Sequence, residues 1–75
     1  MKSIYEGMTN TEIIKVAYKA LKQNESYWMA NTTYANYYQL VRECVERKKK
    51  HSENTCAYIA DGAKFLMRAN KKVFG

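Results

Sequence analysis

Apolar residues recur along this chain at helical rather than strand spacing. Ile13, Val16, Ala17, Ala20 and Leu21 fall three or four apart, Ile14 and Tyr18 widen the arc, and Lys15, Lys19 and Lys22 share the opposite face. Thr9 and Glu12 frame the start of this helix as a capping box. The Thr9 hydroxyl can accept from the Glu12 N–H while the Glu12 carboxylate accepts from the Thr9 N–H. Met8 and Ile13 are placed for the accompanying hydrophobic staple. The spacing predicts a first helix over residues 10–23. A short arm, residues 1–8, precedes it, and Ile4 and Tyr5 are its candidates for folding back onto the core.

A second stripe consists of Tyr34, Tyr37, Tyr38, Val41, Cys44 and Val45, with Asn36, Arg42, Glu43, Glu46 and Arg47 lying away from it. Ahead of it, residues 24–33 carry competing caps: Asn24 and Ser26 suit an early start, Asn31, Thr32 and Thr33 a late one. A continuous or kinked helix over 25–50 is predicted, with Glu43 paired to Arg47 and Glu46 to Lys50 at i,i+4. The run Arg47, Lys48, Lys49, Lys50 and His51 then sits at the carboxyl end of that helix, where the macrodipole favours positive charge. Ser52 or Asn54 caps a third helix over 54–72. Its buried stripe is Cys56, Ile59, Ala60, Ala63, Leu66 and Met67, and its polar face is Asp61, Lys64, Arg68 and Lys72.

These elements predict one all-α domain over residues 1–75, a compact three-helix fold, or four helices if the second is broken. The chain has no proline, and its glycines are Gly7, Gly62 and Gly75, too few turn formers for a β-sandwich. Bundle packing and an orthogonal arrangement related to helix-turn-helix folds both satisfy the pattern. At 47% hydrophobic and 27% charged residues the chain is too apolar to stay disordered. A domain of this size buries only about 60% of the surface its unfolded form exposes, so its core is thin and homo-oligomerisation is one way to enlarge it.

Composition removes several function classes. No apolar run approaches the ~20 residues of a membrane span, and no signal-peptide core is recognisable, so no membrane association and a cytoplasmic location are expected. In that setting the acceptor triplets at Asn24 and Asn31 are chance matches for glycosylation. Cys44 and Cys56 are expected to be reduced core residues. A hairpin turning near Ser52 offsets them by about 6 Å along the axes, with about 8–10 Å between axes, beyond disulfide reach. No phosphate-binding loop, nucleophile elbow or dinucleotide fingerprint occurs. His51, the only histidine, stands among lysines at a helix end, where a capping role outweighs general-base work. A zinc site from Cys44, His51 and Cys56 would have three ligands at irregular spacing. No enzyme activity, cofactor or metal is expected.

Charge and aromatics carry what functional signal there is. Thirteen Lys and Arg against seven Asp and Glu give a net charge of +6. They group as Lys15, Lys19 and Lys22; as Arg47, Lys48, Lys49 and Lys50; and as Lys64, Arg68, Lys71 and Lys72. Grouped cations suit nucleic acid, because phosphates neutralised together release counterions together, and a helical regulator binding nucleic acid through these faces is the first expectation. Tyr58 and Phe65 supply the second signal, since they point away from the buried stripe of the third helix beside Lys64 and Arg68. With Trp28 and Met29 they would anchor a protein–protein module, or an inhibitor of a larger protein with an acidic surface, and this is the alternative expectation. Size, composition and the lack of catalytic motifs have the general look of small regulatory proteins of phages and other mobile elements, a likeness that carries over no residue.

Overall fold

A computed structural model describes residues 4–75; of the predicted arm, residues 1–3 lie outside the described part. The chain forms α1 (Asn10–Leu21), a 3-10 turn (Lys22–Asn24), α2 (Glu25–Ala30), α3 (Thr32–Glu46) and α4 (Glu53–Phe74). The fold is all-α, three long helices and one short one, with no strand among the described residues.

Local chemistry sets each start and stop. Ile4 to Gly7 make a turn closed by Met8 N–H to Tyr5 C=O at 3.0 Å, and Gly7 takes φ 82°, a left-handed conformation that glycine adopts without steric cost. The turn folds Tyr5 back against the core, whereas Ile4 stays exposed. The capping box forms as expected: Glu12 N–H donates to Thr9 Oγ1 at 3.2 Å and Thr9 N–H to Glu12 Oε1 at 3.2 Å.

The predicted 25–50 helix is broken, and it ends early. The Asn31 side chain accepts from Thr33 N–H at 3.1 Å and Tyr34 N–H at 3.3 Å, starting a new helix and leaving Asn31 itself extended. At the other end α3 stops at Glu46, because Lys48 turns to φ 49° and Lys49 N–H reaches back to Glu43 C=O at 3.4 Å. Arg47 to Lys50 are therefore a cap and a loop, not a helical stripe. The predicted i,i+4 pairs dissolve with them: Glu43 meets Lys49 at 3.8 Å, and Glu46 meets Arg42 at 3.0 Å and Lys22 at 3.9 Å. Ser52 Oγ then caps α4 by accepting from Thr55 N–H at 3.3 Å.

The core draws Ile13, Ile14, Ala17, Tyr18 and Leu21 from α1, Trp28 from α2, Tyr38 and Val41 from α3, and Ile59, Ala60, Ala63 and Leu66 from α4. Val16, expected in the first stripe, is instead exposed. Two phenols tie the helices together at their hydroxyls. Tyr18 donates to Glu46, joining α1 to the end of α3, and Tyr38 donates to Glu25 Oε2 at 2.6 Å, joining α3 to α2. Desolvation and the adjacent carboxylates favour both neutral phenols, so Tyr18 is pushed up to about 12 and Tyr38 is raised as well. No helix among the described residues is long and apolar enough to cross a membrane.

Candidate functional site

Two surfaces bring exposed aromatic or charged side chains together at the edge of the core. The first begins on α4, where Tyr58, Asp61, Phe65, Arg68 and Lys72 follow three-and-four spacing and are all exposed. Tyr58 is 56% exposed and Phe65 38%. They do not point away from every neighbour, as the helix pattern alone implied. Tyr37 of α3 lies 5.7 Å from Phe65 and 6.1 Å from Tyr58 between ring centroids, and Tyr34 lies 5.8 Å from Phe65. Tyr27 of α2 extends the contact, 6.4 Å from Tyr34 and 5.2 Å from Phe74 at the end of α4. The result is one connected row of rings from Tyr58 to Phe74, with Tyr27, Phe65, Tyr58 and Phe74 themselves exposed.

Gly62 makes the row possible. The Tyr37 ring rests on this residue so closely that any Cβ there would lie under 3.0 Å from it. The Tyr37 hydroxyl beside Tyr58 raises the Tyr58 phenol. At that end a recess of about 300 Å³ opens between Thr32, Thr33, Asn36, Tyr37, Leu40 and Tyr58.

The second surface lies at the α3–α4 turn, where a pocket of about 600 Å³ is bounded by Thr11, Ile14 and Lys15 of α1, the end of α3, the loop and the start of α4. Cys44, Val45, Cys56 and Ile14 supply apolar lining, and Lys48, Lys49, Lys50 and Lys15 supply charge. Both cysteines are free and half-buried rather than fully in the core. Burial and the nearby Cys56 raise the Cys44 thiol, so it stays protonated. Cys56 Sγ donates to His51 C=O at 3.7 Å. The His51 Nε2 atom is buried with no hydrogen-bond partner among the described residues. Among the described residues no group of three His, Cys, Asp or Glu side chains is placed to hold a metal ion.

The predicted cations thus divide. Lys15 and Lys48, Lys49 and Lys50 come together from different elements around the pocket. Lys22 is drawn to Glu46 at 3.9 Å and sits 5.7 Å from the Tyr18 ring centroid, which makes it part of the scaffold. Lys19 is exposed in the last turn of α1. Arg47 caps α3 beside a small polar recess shared with Gln39, Arg42, Glu43 and Glu46. On α4, Lys64 is half-buried with its ammonium 5.7 Å from the Tyr5 ring centroid, whereas Arg68, Lys71 and Lys72 are exposed.

Trp28 corrects the predicted surface. It is 0% exposed and packs edge-on against Tyr27, Tyr34 and Phe74, so it supports the row from beneath instead of anchoring a partner. Met29, one residue on, is exposed. Sequence reasoning missed Tyr27 and Phe74; it read the stripe tyrosines as core residues with hydroxyls reaching water, and Tyr34 and Tyr37 are indeed half-buried against the core while also belonging to the row. The available signal was the density of aromatics flanking the Asn31 break. Compared with known proteins, the chain matches no family model, no curated protein and no solved structure.

Proposed function

We propose that this protein is a non-enzymatic binding module that captures a partner protein on the aromatic row of α2, α3 and α4, with the cations of α4 steering an acidic surface onto it. The observation that carries this reading is the connected, exposed row from Tyr58 through Phe65, Tyr34 and Tyr27 to Phe74. Tyrosine, phenylalanine, methionine and arginine are enriched where proteins meet, and anchors of this kind carry most of the energy of such contacts. The rings are braced by one another and by Gly62, so little side-chain entropy remains to be lost on binding. Aliphatic Val73 and Met29 are exposed too, and they suit a protein surface better than stacked bases.

A second reading, nucleic-acid binding, has its own support. Arg68, Lys71 and Lys72 are exposed and meet no acidic partner among the described residues, which leaves them available to phosphates. One experiment separates the two. The immobilised protein is offered nuclease-treated lysate, and generic duplex and single-stranded DNA are titrated at two salt concentrations. The protein-binding reading expects a partner retained by wild type and lost by Tyr58→Ala with Phe65→Ala. Salt-sensitive DNA binding that Arg68→Glu abolishes, with no nuclease-resistant partner, would replace it by the second reading.

A further inference from the structure

The pocket at the α3–α4 turn is separate from the aromatic row, and the proposed partner surface makes no use of it. We propose that it binds a small amphiphilic anion, a molecule with an apolar body and a single carboxylate or phosphate head. Its volume of about 600 Å³ is of the size that encloses a small organic ligand. Ile14, Val45, Cys44 and Cys56 offer that body an uncharged floor. The rim is cationic and assembled from separate elements, Lys15 from α1 and Lys48, Lys49 and Lys50 from the loop. Among the described residues only Lys49 of this rim has an acidic partner, Glu43 at 3.8 Å, so an anionic head brings counter-charge to three further ammonium groups.

Two further features mark the pocket as unusual. His51 also lines the pocket, and its Nε2 atom is buried without a hydrogen-bond partner among the described residues, so the wall beside the rim holds a polar group that the free chain leaves unsatisfied. Lys48, at the rim, holds φ 49°, a left-handed backbone that lysine adopts only against its steric preference. Glycine would relieve that strain and remove the charge. A phosphodiester backbone satisfies the rim but has nothing to place on the apolar floor, which favours a compact amphiphile over a polyanion.

The test uses the intact chain and three probes: decanoate, decyl phosphate and inorganic phosphate. Binding is followed by calorimetry and by the rate at which iodoacetamide alkylates Cys44 and Cys56. The proposal expects saturable one-to-one binding of decanoate, decyl phosphate or both, slowed alkylation of the thiols, and affinity about tenfold or more weaker in Lys48→Glu with Lys50→Glu. Whichever decyl probe binds more tightly identifies the head group. The charge-matched control Lys71→Glu with Lys72→Glu, on exposed α4 positions, should bind like wild type. Equal loss in both double variants would reduce the effect to net charge and overturn the proposal. So would inorganic phosphate binding as tightly as decyl phosphate, unprotected thiols, or complete displacement of the probes by duplex DNA.

Discussion

The Tyr37 ring rests on Gly62, taking the space where any other residue would carry its Cβ. A buried glycine in the middle of α4 is otherwise a poor choice, since alanine stabilises a helix interior by about 1 kcal/mol over glycine. The contact lets α3 approach α4 and holds Tyr37 between Tyr58 and Phe65. Gly62→Ala should therefore lower stability by about 1–3 kcal/mol through overpacking, despite the gain in helix propensity. In a Tyr37→Ala background the same change should stabilise by about 1 kcal/mol, because the obstruction is gone. Denaturant midpoints of the four chains check this; additive effects would mean that the two residues do not share space.

Lys48→Gly should raise stability by about 1 kcal/mol, since a left-handed residue loses its steric penalty. It should also weaken binding of the anionic probes at the neighbouring pocket. An unchanged or lower midpoint would show that the lysine conformation is not strained.

Thr9→Ala should cost about 1 kcal/mol by removing the Oγ1 that accepts from the Glu12 amide, and Asn31→Ala a similar amount by freeing the Thr33 and Tyr34 amides. Thermal unfolding of the single variants measures both. The Asn31 change carries a further expectation, because a weaker break between α2 and α3 alters the seat of Tyr27 and with it the row.

The helices were legible in the sequence where side-chain spacing and cap chemistry agree. Thr9 with Glu12 and the Ile13 to Leu21 stripe place α1 within two residues, and Ser52 marks α4. What spacing does not reveal is competition between alternatives. Asn31 wins over a continuous helix because its amide oxygen takes two backbone donors at once, a contest invisible to periodicity. Lys48 ends α3 without the glycine that usually announces a left-handed residue. The exposed pair Tyr58 and Phe65 could be read from α4 alone, but the row requires knowing which helix lies beside it. Trp28 was misplaced for the same reason: a short helix with few residues gives no face to read, and only the packing of Tyr34 and Phe74 shows that it is buried.

Stability should fall at both ends of the pH scale, and the pair Tyr18 and Glu46 contributes to both limbs. The Tyr18 hydrogen bond, then Arg42, hold the Glu46 carboxyl below its usual 4.5. A carboxylate depressed in the folded state contributes stability above its unfolded value, and loses it as pH falls through the folded value. The Tyr18 phenol is raised from 10.0 to about 12, chiefly by desolvation and then by Glu46, so its contribution is complete below pH 10.0 and disappears as pH rises towards 12. Tyr18→Phe should flatten both limbs in denaturation measured across pH. If the alkaline limb is unchanged in the variant, the phenol is not the group responsible.

The most direct test of the partner surface is the affinity of the captured protein for Tyr58→Ala, Phe65→Ala and Arg68→Glu chains, measured at two salt concentrations. Because the row supplies the buried anchors and the cations act at its margin, each aromatic truncation should cost about 2 kcal/mol or more, while Arg68→Glu should mainly slow association. The circular-dichroism spectrum of each variant should remain that of the folded helical protein. Aromatic variants that bind like wild type, together with an affinity that falls steeply with salt and vanishes in Arg68→Glu, would contradict the account and move the function to the cations of α4.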